Sequence, residues 1–204
     1  MSCLGAYPSG LEGRVFERSL QLLNDVLSST PFGNRYWLRA GLLLGWAREG
    51  RILSHDRADA DFGFLAQDRD NLLQAIPRLI EAGFAPSTVL RNNAGRATEY
   101  VLRRGTANFE FFEMEEVGNE LEYFLYCAHG EHKQDPIQIR CRVPRHNLEE
   151  IEFVGRRWYK PDRHERQLEV MYGEWRKPDP YHQYINTGAA VERTPWSPRV
   201  GWDL

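Results

Sequence analysis

Cysteine is scarce in this chain. Three cysteines, Cys3, Cys127 and Cys141, occur in 204 residues. Three thiols cannot all pair within one chain, and so few do not form the disulfide framework of a small secreted protein. The scarcity favours a reducing compartment, and we expect the protein to be cytoplasmic.

Long apolar runs and a basic leader are also missing. The longest apolar stretches, such as that around Leu42 to Leu44, are far shorter than the roughly 18 residues that a membrane-spanning helix requires. The first residues show no basic stretch followed by an apolar one. We therefore expect neither export nor an integral membrane segment.

No excess of positive charge is present. Lys and Arg number 26 against 29 Asp and Glu, giving a net charge of -3. A chain with this balance has no general positive field to hold a polyanion, so we expect no nucleic-acid partner. Hydrophobic residues make up 42% of the sequence, enough for a core, and its length fits a single domain over residues 1–204. We expect residues 178–204 to form an extended tail rich in Pro and Trp.

Hydrophobic periodicity predicts an α+β fold with a mixed or antiparallel sheet flanked by helices. Predicted helices cover residues 11–29, 42–49, from Asp68 or Asp70 to 82, and 163–172. Predicted strands cover residues 36–39, 60–65, 97–104, 108–115, 120–128, 136–143 and 153–159. The run of strands from 97 to 143 is typical of an antiparallel meander.

Acidic residues precede and enter the apolar strand at 60–65. Asp59 and Asp61 are two residues apart, so a strand places them on the same face. Adjacent carboxylates repel each other unless a cation lies between them, and oxygen ligands of this kind suit Mg²⁺ or Mn²⁺. The alternative is an acidic loop in solvent. Upstream, Gly41 and Gly45 belong to a strand, turn and helix unit whose N-terminal amides are suited to binding phosphate.

Glu110 is the best candidate for a third carboxylate. It lies between aromatic residues in Phe109-Glu110-Phe111-Phe112, where an unpaired charge is costly to bury. A metal ion would compensate that cost. The alternative is a strand rotated so that Glu110 faces water.

A second group of possible ligands contains sulfur and nitrogen. Cys127, His129, His132 and Cys141 lie close together in sequence, on a predicted hairpin, and four such side chains can form a tetrahedral zinc site. The alternative is that both cysteines are buried thiols within apolar strands. The sequence leaves the two interpretations open.

Several motifs follow one another along the chain. The pattern G-x-L-L-G-x-x-R occupies residues 41–48, and a D-x-D-h-G strand occupies 59–63. An acidic residue followed by apolar ones occurs at 110–112, and a proline turn at 159–161 precedes a helix ending in Tyr172-Gly173-Glu174-Trp175. In this order the motifs resemble those of the LicD/fukutin group of phosphotransferases, and the resemblance covers roughly residues 36–178.

The resemblance implies a nucleotidyltransferase fold similar to that of the polymerase-beta superfamily. It also implies transfer of a phosphoalcohol, such as phosphocholine or ribitol phosphate, from a CDP-activated donor to a hydroxyl of a glycan or glycolipid. Asp59, Asp61 and Glu110 would hold Mg²⁺ or Mn²⁺ and carry the chemistry, with Glu110 also able to accept a proton. The implied substrate-binding residues are Gly41, Gly45, Arg48 and Asp56. An exposed surface position is the alternative for Arg48.

The chain departs from the family pattern at three places. Leu42 replaces a small hydroxylated residue, Glu110 replaces the usual Asp, and the stretch from Gly45 to Asp59 is about one residue longer than usual. Two other functions therefore stay open. One is a nucleotidyltransferase that adds a nucleoside monophosphate to a small molecule, and the other is a noncatalytic binding member of the fold.

Overall fold

The computed structural model describes residues 10–54, 58–198 and 201–202, excluding the side chains of 10–12. The helices are α1 (Gly10–Ser28), α2 (Ala40–Glu49), α3 (Arg69–Glu81) and α4 (His164–Tyr172). The strands are β1 (Tyr36–Leu38), β2 (Asp59–Leu65), β3 (Ala85–Arg91), β4 (Ala97–Arg104), β5 (Ala107–Val117), β6 (Glu120–Cys127), β7 (Ile137–Pro144), β8 (Leu148–Phe153), β9 (Arg156–Pro161) and β10 (Ala190–Pro195). The predicted α+β class, a mixed sheet flanked by helices, is confirmed.

Eight strands form one sheet. Its main path runs β1-β2-β5-β6-β7-β10, and β3 joins through β4, which pairs with β5. Strands β2 and β5 are parallel, whereas β4, β5, β6 and β7 form the predicted antiparallel meander. Strand β5 has two successive partners on one edge, β4 along its first half and β6 at its end. Strands β8 and β9 form a separate hairpin.

Alternating residues give β2 two different faces. Ala60, Phe62 and Phe64 are fully buried in the main hydrophobic core, which includes residues of helices α1 and α3. Asp59 and Asp61 are on the opposite face, because successive side chains on a strand alternate. The apolar face anchors the strand, and this fixes the position of the two carboxylates.

Gly63 lies on the carboxylate face and allows β1 to pack closely. It pairs with Trp37, and a Cβ atom at Gly63 would lie 2.5 Å from Trp37 Cε2. Trp37 is almost fully buried in a second apolar cluster, on β5, β6, β7 and α4. The glycine therefore removes a steric obstacle next to the acidic residues.

Three strands were not predicted correctly from the sequence. Strand β3 buries one residue of seven, and β10 exposes most of its side chains, so neither has a clear alternating pattern. Strand β8 was not predicted, and the predicted strand at 153–159 is correct only in its second half, which belongs to β9. Val154 and Gly155 turn the chain with positive φ angles and connect β8 to β9.

The predicted tail carries regular structure. Strand β10 pairs with β7, and the Trp196 indole donates a hydrogen bond to the Arg91 carbonyl at 2.9 Å. Among the described residues, no helix is long and apolar enough to cross a membrane.

We predict that Gly63→Ala lowers the free energy of unfolding by about 1 to 3 kcal/mol, because the added methyl group overlaps the Trp37 ring. Denaturant unfolding measures the loss. In a Trp37→Leu background, Gly63→Ala should lower the free energy of unfolding by clearly less. Gly118→Ala is a control for backbone strain alone, since Gly118 has φ +61° and no neighbour within 4 Å of its added Cβ. An equal cost of Gly63→Ala in both backgrounds would contradict the steric explanation.

Candidate functional site

Three carboxylates meet where β2 and β5 run side by side. The parallel register aligns Asp61 with Glu110 and Asp59 with Asn108. One carboxylate oxygen from each of Asp59, Asp61 and Glu110 lies within 4.8 Å of the other two. The structure thus brings together the three residues that the sequence predicted, with Glu110 facing the pair across adjacent strands.

The three carboxylates are partly buried. Burial raises the pKa of Glu110 from 4.5 to about 10, and the nearby charges of Glu99, Asp59 and Asp61 add to the increase. Burial also raises the pKa of Asp59. Within the described part of the chain, Asp59 Oδ1 has no hydrogen-bond partner. A cluster of this kind gains stability from either bound protons or a cation.

Glu99 is a fourth carboxylate that sequence reasoning missed. It lies on β4 and pairs with Phe112 of β5, which places it on the same sheet face as Glu110. Glu99 is 6% exposed, and a hydrogen bond links its side chain to Glu110. Burial raises its pKa to about 8, although the nearby Arg39 opposes the increase. The sequence does contain an indication of this position, because Glu99, like Glu110, is a charged residue within a predicted strand that is otherwise largely apolar.

Arg39 brings a positive charge to the cluster. It directly follows β1, and its backbone N–H donates to the Asp61 carbonyl at 3.0 Å. Its side chain is 3% exposed, and the guanidinium carbon lies 4.3 Å from the Phe112 ring centre and 4.2 Å from that of Tyr123. Burial lowers the pKa of Arg39, but Tyr123 and Asp61 more than offset this, so its pKa is raised overall.

The predicted substrate-binding residues have different surroundings. Gly41 and Arg48 line the cavity beside the carboxylates, and the Arg48 side chain is only 12% exposed. Gly45 is absent from that lining. A Cβ atom there would lie 2.6 Å from the Arg51 carbonyl oxygen, so Gly45 permits close packing of the following turn. Asp56 lies outside the described residues.

A cavity of about 1230 Å³ opens over the carboxylates. One side is formed by α2, β2, β4 and β5, and another by residues 171–187, which follow α4 or end it. Tyr184 holds this second wall in place, since its hydroxyl donates to the Tyr126 carbonyl at 2.9 Å and lies 3.1 Å from His129 Nε2. The volume is sufficient for a drug-sized ligand.

The proposed zinc ligands do not form a cluster. Across the described residues, the only group of three or more His, Cys, Asp or Glu side chains arranged for a metal is Asp59, Asp61 and Glu110. Cys127 and Cys141 are buried free thiols within strands. The structure therefore favours the alternative, in which both cysteines pack in the interior.

Comparison with known families assigns the fold. A sequence profile described as LicD/FKTN/FKRP, nucleotidyltransferase domain, matches residues 33–163, which is well over half of the chain. The chain belongs to the LicD/FKTN/FKRP family. The matched region contains Arg39, Asp59, Asp61, Glu99 and Glu110. Membership in this LicD family indicates a transferase acting on glycans. A search of curated proteins finds no match.

The donor set fits a divalent cation. Carboxylate oxygens are hard ligands, and the uncoordinated, buried Asp59 Oδ1 lies in the cluster where such an ion would bind. The cavity residues 171–187 lie beyond the family match. The carboxylates therefore lie within the matched region, whereas residues 171–187 of the opposite wall lie outside it.

We predict that the metal-free protein loses stability as pH rises. Glu110 has a higher pKa folded than unfolded, so its contribution is fully present below pH 4.5 and is lost as pH approaches 10. Within that window, each pH unit costs up to about 1.4 kcal/mol for such a group, or roughly 3 to 5 °C in the melting temperature.

Thermal melts in EDTA between pH 5 and 9 measure this loss. Glu110→Gln should give a flatter profile, and saturating Mg²⁺ should raise the wild-type melting temperature most at high pH, where the carboxylates are ionised. A metal-free wild-type profile no steeper than that of Glu110→Gln would contradict the prediction.

Proposed function

We propose that this protein transfers a phosphoalcohol from a CDP-activated donor to a hydroxyl of a glycan or glycolipid, and that the reaction requires Mg²⁺ or Mn²⁺. The observation that supports this most is the cluster of Asp59, Asp61 and Glu110, within 4.8 Å of one another in a large cavity of a LicD family member. Phosphoryl transfer depends mainly on charge neutralisation and alignment, and this cluster suits both requirements.

Asp59, Asp61 and Glu110 would hold the cation. When bound, the cation neutralises charge on the donor diphosphate and on the leaving CMP. The carboxylates would hold the cation in a fixed position, because the opposite faces of their strands are packed in the core. The proton of the attacking hydroxyl passes to an ionised carboxylate of this cluster, and we assign that role to Glu110.

The N-terminal end of α2 and Arg48 would contact the phosphates. Gly41 leaves the first turn of α2 open to the cavity, where free backbone N–H groups attract anions. Arg48 lines the same cavity, and within the described structure its Nε atom is buried with no hydrogen-bond partner. A phosphate oxygen would satisfy that donor.

Product analysis tests the proposal. CDP-choline, CDP-ribitol and CDP-glycerol are supplied with Mg²⁺ and a glycan or glycolipid acceptor, and the released nucleotide is identified. Release of CMP together with a phosphorylated acceptor is the expected result. Release of pyrophosphate from CTP or ATP, with nucleotide attached to a small molecule, would instead indicate a nucleotidyltransferase. A protein that binds nucleotide but turns over none of these donors would be a binding member of the fold.

Asp59→Asn and Asp61→Asn should each reduce the transfer rate to less than about one tenth, a loss of at least ~1.4 kcal/mol of transition-state stabilisation. Each variant should also bind Mg²⁺ more weakly by calorimetry, because one ligand has lost its charge. Each should remain folded, because removal of one carboxylate charge reduces the repulsion in the cluster. The matched control is Glu116→Gln, on the exposed part of β5, which should leave both properties unchanged. Retention of more than a tenth of the rate by either Asn variant would contradict the assignment.

Arg48→Lys should lower kcat/KM at saturating metal by at least about tenfold, because hydrogen bonds to charged groups contribute about 1.5 to 3 kcal/mol and lysine lacks the planar fork. The melting temperature should change little. Arg51→Lys is the control, since its side chain is 70% exposed. Unchanged kinetics in both Arg48→Lys and Arg48→Ala would exclude this role for Arg48.

A further inference from the structure

We propose that Arg39 is a second phosphate-binding arginine, which donates hydrogen bonds from Nε and Nη2 to the diphosphate of the donor. The inference rests on the proposed function only in taking the donor to be a nucleoside diphosphate derivative. It concerns a residue just outside the G-x-L-L-G-x-x-R segment, which starts at Gly41.

The first observation is an unsatisfied cation. Arg39 is 3% exposed, yet its Nε and Nη2 atoms have no hydrogen-bond partner among the described residues. Leaving a buried charged donor unpaired costs more than leaving a neutral one, so such groups normally bind a partner. The side chain lines the cavity together with Asp59, Asp61 and Glu110, where a ligand can supply that partner.

The second observation is the rigid placement of the guanidinium. Its central carbon lies 4.3 Å from the ring centre of Phe112 and 4.2 Å from that of Tyr123, and these two cation–π contacts hold it in place. Its N–H groups project from the edge of the plane, and Nε and Nη2 have no hydrogen-bond partner among the described residues. The backbone of Arg39 is held by its bond to the Asp61 carbonyl. A planar donor fixed in this way is suited to phosphate oxygens.

The surroundings of Arg39 distinguish phosphate binding from a role in which Arg39 only neutralises the nearby carboxylates. Asp61, Glu99 and Glu110 all lie close enough for their charges to interact with that of Arg39. If the arginine served only to balance them, its donors would be expected to bond to their oxygens, yet two of its nitrogens do not. A cation held by the carboxylates would neutralise their charge, and the charge of Arg39 would then be left for the diphosphate of the donor.

The test measures CDP binding separately from metal binding. Calorimetry with CDP at saturating Mg²⁺, and with Mg²⁺ alone, is applied to wild type, Arg39→Lys and Arg39→Gln. We expect CDP affinity to fall at least about tenfold in both variants, with Mg²⁺ affinity within about threefold of wild type. Arg69→Lys is the matched control, because Arg69 pairs with the buried Glu113 on the opposite face of β5. It should lower the melting temperature and leave CDP affinity unchanged.

Two results would overturn the assignment. The first is a CDP affinity within threefold of wild type in folded Arg39→Lys. The second is a change in Mg²⁺ affinity with no change in CDP affinity, which would indicate that Arg39 only balances the charge of the carboxylates. If neither variant folds, a crystal structure of the wild-type protein with Mg²⁺ and CDP decides, since Arg39 Nε or Nη2 must lie within hydrogen-bond distance of a phosphate oxygen. Absence of any CDP binding by folded wild-type protein would overturn the proposed function as well, which separates the two failures.

Discussion

The in-register parallel pairing of β2 with β5 is the constraint on which the site depends. Parallel strands cannot be joined by a tight turn, so the chain between them must cross over. Here the crossover contains α3, β3 and β4, and it returns β4 to the other edge of β5. One topological arrangement therefore places Asp61, Glu110 and Glu99 on the same face of three adjacent strands.

This arrangement places carboxylates that repel one another close together in the folded protein. Four carboxylates and one buried arginine share a partly closed space, and burial raises the pKa of Asp59, Glu99 and Glu110. The aromatic residues on the opposite face of β2 and β5 hold these strands together in spite of the repulsion. The core thus keeps the carboxylates close together, in an arrangement that fits a divalent cation.

Much of the fold and the cluster of three carboxylates could be predicted from the sequence because both depend on local patterns. Alternation of Asp59 and Asp61 with Ala60, Phe62 and Phe64 gives one polar and one apolar face, and the aromatic neighbours of Glu110 indicated burial. Residues whose importance comes from pairing between distant segments were harder to find. Arg39 has no local pattern, and its environment arises only when Phe112 and Tyr123 come together. Strand β10 is similarly explained by β7 and not by its own composition.

The pairing of β10 with β7 connects one side of the cavity to the edge of the sheet. The same C-terminal segment covers the edge of β7 and, through residues 171–187, forms one side of the cavity. An uncovered strand edge is a site for unwanted association with other chains. Detachment of β10 from β7 would therefore expose the edge of β7 and also free the C-terminal end of the segment that forms this cavity wall, whereas the carboxylates lie on β2 and β5, away from that edge.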